Sequence, residues 1–476
     1  MTNLSGANLN NGAAVGPQGE GRESPSTFPA YPAYKDSGVE WLGDVPEHWA
    51  LHKLKYIARF SGGGTPSREN LAYWNGDIPW VSPKDMKVEV IVGTEENITI
   101  EGLQNSTTSL VSPGGILIVV RSGILKHTIP VAINNVEVAL NQDMKALRFN
   151  PKLALFDFFF RWVQGFNNEL LHAWLKQGAT VESVEQEYLA DTIVPMPGID
   201  EQRMIVGFLD HETARIDALI EEQQRLIELL KEKRQAVISH SVTKGLDVTV
   251  PMKDSGVEWL GEVPVHWVVS RAKLVSDIFV PQRNKPELND SEGIAWVTME
   301  DMNGGYISAT NLKVTELAAD EAGSKVLKKG AVIASCVGRF GIVAINAVDV
   351  VINQQLQAFE PRKIKAEYLK NIVSLSKEYF ELIGTAATLV YVNQQGFENL
   401  PVLIPFYGEQ ESICLYVDEA NARFDALLSQ SFESIQLLQE RRSALISAAV
   451  TGKIDVRGWQ PPASAQVPEL EVAEAV

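Results

Sequence analysis

The chain has 476 residues, too many for one ordinary hydrophobic core, so two or more domains are expected. Its composition, 45% hydrophobic and 21% charged, is that of a globular protein, and its longest apolar runs, such as Ile116–Val120, fall far short of the ~20 residues a membrane span needs. A formal net charge of −18 excludes a surface attracted to phosphate all over, so any nucleic-acid site has to be a local patch or be shared with a more basic partner.

Residues 1–30 are rich in Gly, Asn, Ser and Pro and lack the basic start and apolar core of a signal peptide, which reads as a disordered leader. The sequence then opens on "YKDSGVEWLGDVPEHW" at Tyr34–Trp49, and "MKDSGVEWLGEVPVHW" follows at Met252–Trp267, 218 positions on. Later blocks repeat too. "PWVSPKDM" from Pro79 answers "AWVTMEDM" from Ala295, an offset of 216, and "ALNQD" from Ala139 answers "VINQQ" from Val351, an offset of 212. Between them a Gly-led apolar strand, Gly115–Arg121, resembles Gly330–Cys336. Each half continues with an amphipathic helical stretch, roughly Leu153–Leu175 and Ala366–Ile383, and then a strand ending "IVPMP" or "LIPF".

The last repeated block, Leu209–Asp247 and Val417–Asp455, keeps an offset of 208 throughout, at Asp210/Asp418, Asp217/Asp425, Arg234/Arg442 and Asp247/Asp455. Its apolar residues fall at helix spacing: Ile216, Leu219/Ile220, Leu226/Ile227 and Leu230 in the first copy, Phe424, Leu427/Leu428, Ile435 and Leu438 in the second. One inserted residue would swing every later side chain by ~100°, so strict spacing says that length and phase matter. About 40 helical residues make a rod of ~60 Å that is unstable alone, and the two are expected to pair as an antiparallel coiled coil with Ile216, Leu219, Leu226, Leu230, Phe424, Leu427, Ile435 and Leu438 in its seam. The fold expected is α/β (α+β), with two globular domains separated by the helices and related by an internal pseudo-twofold. The tail from 457 reads as disordered and acidic. Cys336 and Cys414 form neither a disulfide framework nor a metal spacing, which fits a reducing cytoplasm.

The arrangement resembles the specificity subunit of type I restriction-modification systems. The paired openings carry the resemblance, with "LIELLKEKRQAVISHSVTKGLD" and "IQLLQERRSALISAAVTGKID" closing the helices and "GGGTPSRENLAYWNGDIPWVSPKDM" from Gly62. It implies target recognition domains at 31–198 and 248–407 and long spacer helices at 199–247 and 408–456. It also implies a non-catalytic reader of double-stranded DNA. Each domain would read one half of a bipartite asymmetric site, and the helices would set the gap and dock two methyltransferase (modification) subunits, joined by restriction/translocase subunits. S-adenosylmethionine, ATP and Mg2+ would act on those partners, with no cofactor or metal in this chain. The missing motifs agree: there is no phosphate-binding G-x-x-x-x-G-K-[ST] and no histidine–cysteine metal cluster.

Candidate DNA contacts follow from residue chemistry. Thr65, Ser67 and Arg68 lie in "SGGGTPSREN", either a glycine loop approaching the DNA backbone or a plain turn. Lys84 follows Trp80; Arg121, Lys126 and His127 end a strand; Arg283 and Lys285 form the basic loop of the second half, where Arg339 is the counterpart cation. Asp85, Asp301, Asn141 and Asn353 are read as turn caps rather than base contacts. Trp41, Trp49, Trp259 and Trp267 are either a docking surface for the modification subunits or buried anchors between domain and helix; the anchor reading is preferred, because tryptophan mainly supplies buried area. Arg234 and Arg442 are read as cations near helix C-termini. Two other classes stay open: a symmetric scaffold or anti-restriction-type partner protein that reads no DNA, favoured by the net acidity, and a hydrolase using scattered carboxylates such as Asp85 and Asp143.

Overall fold

The computed structural model of the chain describes residues 28–176, 181–282, 284–302, 304–384 and 390–460. Arg283, the leader up to residue 27 and the tail from 461 lie outside the described residues. Among the described residues no helix is long and apolar enough to cross a membrane. Strands and helices alternate through both globular halves, and two long helices follow them, Ile199–Lys244 of 46 residues and Tyr407–Val450 of 44.

The chain divides into two compact units, Met1–Glu222 with Ile435–Val476, and Gln223–Ser434. The divisions fall inside the long helices rather than at their ends, because each globular half packs on a piece of both. In the first unit a five-stranded sheet has the order Ala58–Gly62, Met144–Phe149, Gly115–Val119, Val131–Asn134, Val90–Ile91. Its strands pair antiparallel except the last, which runs parallel to its neighbour. The central strand Gly115–Val119 is buried along its whole length, as a strand covered on both faces must be. Helix Phe156–Gly165 covers one face with Phe158, Phe159, Trp162 and Val163.

The second unit repeats this order with Ser276–Phe279, Leu356–Pro361, Val332–Ser335, Val343–Asn346 and Tyr306–Ile307. Both sheets are closed by one buried amide that the sequence reading missed. Asn134 Oδ1 accepts from the Gly115 N–H at 2.8 Å, and its Nδ2 donates to the carbonyls of Val111, Ser112 and Val136 at 2.9–3.1 Å. Asn346 does the same with the Ala331 N–H and the carbonyls of Lys328 and Val348. A wholly buried amide is tolerated because its donors and acceptor are all used.

Within each unit the two helix segments run antiparallel. In the first, Trp49 lies against both the first turn of one helix and the end of the other, while Arg442 reaches Asp217 further along. In the second, Gly245 approaches Glu409 while Arg234 reaches Asp425. Buried and half-buried positions recur at alternating steps of four and three: Leu209, Thr213, Ile216 and Ile220 in the first unit, then Gln223, Ile227, Leu230, Arg234, Val237 and Ser241 in the second. The other helix repeats the pattern at the 208 offset, through Val417, Asn421, Phe424, Leu428 and Ser431 and then Ile435, Leu438, Arg442, Leu445 and Ala449. This is a coiled-coil heptad.

Three expected seam residues are corrected. Leu219 and Leu226 are 41% exposed and Leu427 46%; in each adjacent apolar pair the second residue, Ile220, Ile227 or Leu428, faces inward. Neighbours ~100° apart on a helix are told apart only by the phase of the whole seam. Arg234 and Arg442 are also more than cations at helix ends. They occupy seam positions, where Arg234 Nη1 meets Asp425 at 2.7 Å and its Nε donates to Asn421, and Arg442 Nε meets Asp217 at 2.9 Å.

Candidate nucleic-acid interface and the repeated frame

The lysine, aspartate and serine of the repeated opening segment make the same contacts in both units. Lys35 Nζ donates to the Trp49 carbonyl at 2.5 Å and Lys253 Nζ to that of Trp267 at 2.6 Å. Asp36 and Asp254 accept from the N–H two residues on, and Ser37 and Ser255 bond the backbone of Val39 and Val257. Trp41 packs edge-on to Phe166 at 5.4 Å and against Trp162, and Trp259 packs on Tyr379 at 6.5 Å.

Trp49 and Trp267 expose 0% of their surface, which corrects the docking reading for these two: a side chain with no free surface offers a partner nothing. They close the joint between domain and helices. Trp49 Nε1 donates to Glu201 at 3.0 Å, and the Tyr31 hydroxyl and His48 Nε2 meet the same carboxylate at 2.7 and 2.9 Å. Burial and that carboxylate push the Tyr31 phenol above its ordinary range. At the far end Gly452 adopts a φ of +72°, and a Cβ there would collide with Pro46, so only glycine lets the helix end seat against the opening segment. Gly245, Trp267 and Pro264 repeat the joint, with His266 on Glu409 at 3.0 Å. The difference is that, among the described residues, the buried Trp267 Nε1 has no hydrogen-bond partner. Sequence reasoning overlooked Glu201 and Glu409, although they share the 208 offset.

Among the DNA-contact candidates of the first unit, four are brought together around one exposed edge. Thr65 donates to Gln142, and Arg121 Nε pairs with the next residue, Asp143, at 2.8 Å. Arg121 and Asp143 line a cavity of about 550 Å³ with Pro83, the neighbour of exposed Lys84. Arg68 forks onto Glu96 and lies 3.9 Å over the Trp74 ring. The Arg68 hydrogen bonds hold the Glu96 carboxyl below the ordinary range, and Lys84 adds to the effect. The glycines of this loop serve the chain itself: a Cβ on Gly63 or Gly64 would strike the backbone of Leu140–Asn141 or of Thr107–Thr108. Ser67 is exposed and gives its carbonyl to Trp74 Nε1, while Lys126 and His127 stand exposed at the end of a short helical turn, Gly123–Lys126.

In the second unit Lys285 and Arg339 are exposed, and among the described residues no hydrogen bond or ion pair engages either side chain. The acids read as caps are caps: Asp85 accepts from the Ser82 N–H and hydroxyl, and Asp301 does so from Thr298. Asn141 and Asn353 each accept from the N–H two residues on. Among the described residues no group of three or more His, Cys, Asp or Glu could hold a metal ion.

The first domain is clamped to its helix segments by ions. Buried Arg161 meets Asp210 at 2.9 Å and Glu89 at 3.5 Å, and Glu89 accepts from Gln164 at 2.8 Å and Arg442 at 3.2 Å. Burial alone would raise the Glu89 carboxyl, but the Gln164 amide and the guanidinium groups of Arg161 and Arg442 outweigh it and hold it below the ordinary carboxylate range. A folded pKa below the unfolded one contributes stability that is whole above the unfolded value and is lost as pH falls through the folded one. Urea denaturation across pH should therefore show Glu89→Gln less stable than the parent near neutrality, with the difference closing toward acid. A difference that widened toward acid would contradict the clamp.

A model of the type I restriction modification DNA specificity domain matches residues 46–230 and again 264–436. Over 198 residues the chain is 35% identical to the type I restriction enzyme EcoR124I/EcoR124II specificity subunit of Escherichia coli, a match taking in 41% of this chain and 46% of that protein, so the chain spans just under half the length of this relative. Over 441 residues it is 24% identical to the type I restriction enzyme MjaIX specificity subunit of Methanocaldococcus jannaschii, with 87% of this chain and 95% of that protein covered. In fold it is similar to a chain from a structural study of complex assembly and conformational transition in the type I R-M system, with a TM-score of 0.62 at 18% identity over 85% of this chain and 98% of that one. The HsdS subunit from Thermoanaerobacter tengcongensis gives 0.53 at 16% identity over 86% and 98%. Matched in both halves and in the same order as its internal repeat, the chain belongs to the type I restriction modification DNA specificity domain family.

Proposed function

We propose that this chain is the non-catalytic specificity subunit of a cytoplasmic type I restriction-modification complex. Each globular domain reads one half of a bipartite, asymmetric DNA target. The paired helices set the gap between the halves and carry two methyltransferase subunits, and restriction/translocase subunits join that core. Adenine methylation and ATP-dependent cleavage take place on those partners, with S-adenosylmethionine, ATP and Mg2+.

The observation that carries this reading is the contrast between a duplicated frame and unlike loops. The joints, the sheet order and the phase of the seam recur at equivalent positions in both units, whereas among the described residues the cations differ: Arg68 and Arg121 are held by Glu96 and Asp143 in the first unit, and Lys285 and Arg339 stand exposed in the second. Two unlike readers on equal frames suit two unlike half-sites. With Trp49 and Trp267 buried, docking moves to the helices. Leu219 and Leu437 stand exposed in the first unit, and their repeats Leu427 and Leu229 stand exposed in the second. Equivalent apolar positions suit two copies of one partner.

The test is reconstitution. The isolated chain is expected to bind DNA weakly and with strong salt dependence, and addition of modification subunits should give tight, sequence-specific binding and methylation. Methylation without sequence preference would overturn the reading. The net charge of −18 favours a second reading, a scaffold that reads no DNA. Footprinting separates the two, because a scaffold protects no bipartite site.

A further inference from the structure

In the five-stranded sheet of the first unit, Arg59 on the edge strand stands directly opposite Arg148 on its neighbour. Like charges directly opposite in an antiparallel pair repel. Among the described residues neither guanidinium has an ion-pair partner, and Arg148 Nη1 donates only to the Ser112 carbonyl, at 3.2 Å. The second unit carries a like-charged pair at the same place in its sheet, Asp277 opposite Glu360, and there each acid has its own counter-ion: Arg362 lies 3.3 Å from Asp277, and Lys325 pairs with Glu360. The fold therefore neutralises this position internally in one half and leaves it open in the other.

The open pair lines a cavity of about 590 Å³ together with Lys55, Tyr56, Phe60 and Ser61. Asp191 is shared by Lys55, at 2.6 Å, and Lys53, at 3.1 Å, so one carboxylate faces two lysines and the two arginines add to a net positive charge. Tyr56 is 69% exposed and presents a ring at the rim. Two guanidinium forks with an aromatic face suit a phosphate-bearing chain better than a carboxylate one, since each fork matches a phosphate's oxygens and the ring can take a base or sugar.

We propose that this groove is a phosphate site that holds the DNA backbone beside the region read by the first domain, without reading sequence. Its DNA occupant rests on the function proposed above. Thr65 lies six residues beyond Arg59, at most ~20 Å away, a span of about six phosphates along one strand. One duplex can therefore meet both. Because the second unit lacks the open pair, the extra hold falls on one half-site only.

The test uses the full chain and the double variant Arg59→Thr/Arg148→Thr, both changes favourable in a strand. Removing the repulsion should leave Tm unchanged or raised. Binding to a 30-base-pair duplex, followed by fluorescence anisotropy through a salt titration, should weaken roughly tenfold or more, and the slope of log affinity against log salt should fall by about two. With modification subunits added, the ranking of half-site sequences should be the same for parent and variant. In addition, pyrophosphate should raise the Tm of the parent and not of the variant. An unchanged salt slope overturns the proposal, as does arginine-dependent binding of polyglutamate without loss of duplex binding. A parent that shows the pyrophosphate effect but binds no duplex at any salt leaves the phosphate site standing and overturns the DNA reading instead.

Discussion

Trp49→Ala is expected to lower the unfolding free energy by about 3–5 kcal/mol, a large part of the roughly 5–15 kcal/mol that holds a domain together. The indole has no exposed surface, packs edge-on to Tyr31 at 5.9 Å and Phe158 at 6.5 Å, and donates to Glu201. Its loss would open a cavity where the opening segment, one helix start and one helix end meet. Trp267→Ala should cost as much in its own unit. The conservative changes should part company. Trp49→Phe removes a hydrogen bond to a buried carboxylate, worth about 1.5–3 kcal/mol, whereas Trp267→Phe removes a buried N–H that has no partner and should cost far less. Chemical denaturation reads all four. A Trp49→Ala protein of parental stability that had lost only its partner subunits would restore the docking role.

Adding one alanine between Glu222 and Gln223 should abolish function in the assembled complex, while adding seven residues there and seven after Gln430, the repeat equivalent, should not. A single residue turns Ile227, Leu230 and Arg234 by ~100° off the seam and separates Arg234 from Asp425. A heptad in each helix restores the phase and adds ~10.5 Å of length. At 3.4 Å per base pair the tolerated gap should then grow by about three base pairs, with the bases of each half-site unchanged. Methylation of targets with graded gaps measures this. A heptad variant that changed the bases recognised would count against the helices as the ruler.

Much of this architecture is legible in the sequence, because duplication writes it twice. The nine identities of "KDSGVEWLG" mark the joint, and the constant 208 offset marks a helix whose phase tolerates no single-residue insertion. What stays hidden depends on geometry in three dimensions. Leu219 and Ile220 are equally apolar, and only the seam's phase decides between them. Asn134 and Asn346 are ordinary letters until the strand brings each amide among backbone carbonyls. Arg161 sits in an apolar helical run, where nothing local announces Asp210 and Glu89. Arg59 and Arg148 are 89 residues apart, and their opposition exists only in the sheet register. Charge in the sequence marks exposed cations but not whether a carboxylate, as at Arg68 and Arg121, already holds them.

Sequencing that detects modified adenine across the host genome tests the central claim most directly. The account predicts one methylated motif made of two different short half-sites separated by a gap of constant length, lost when this chain's gene is deleted. A continuous or palindromic motif that depends on this chain, or no change in the methylated motifs on its deletion, would contradict it.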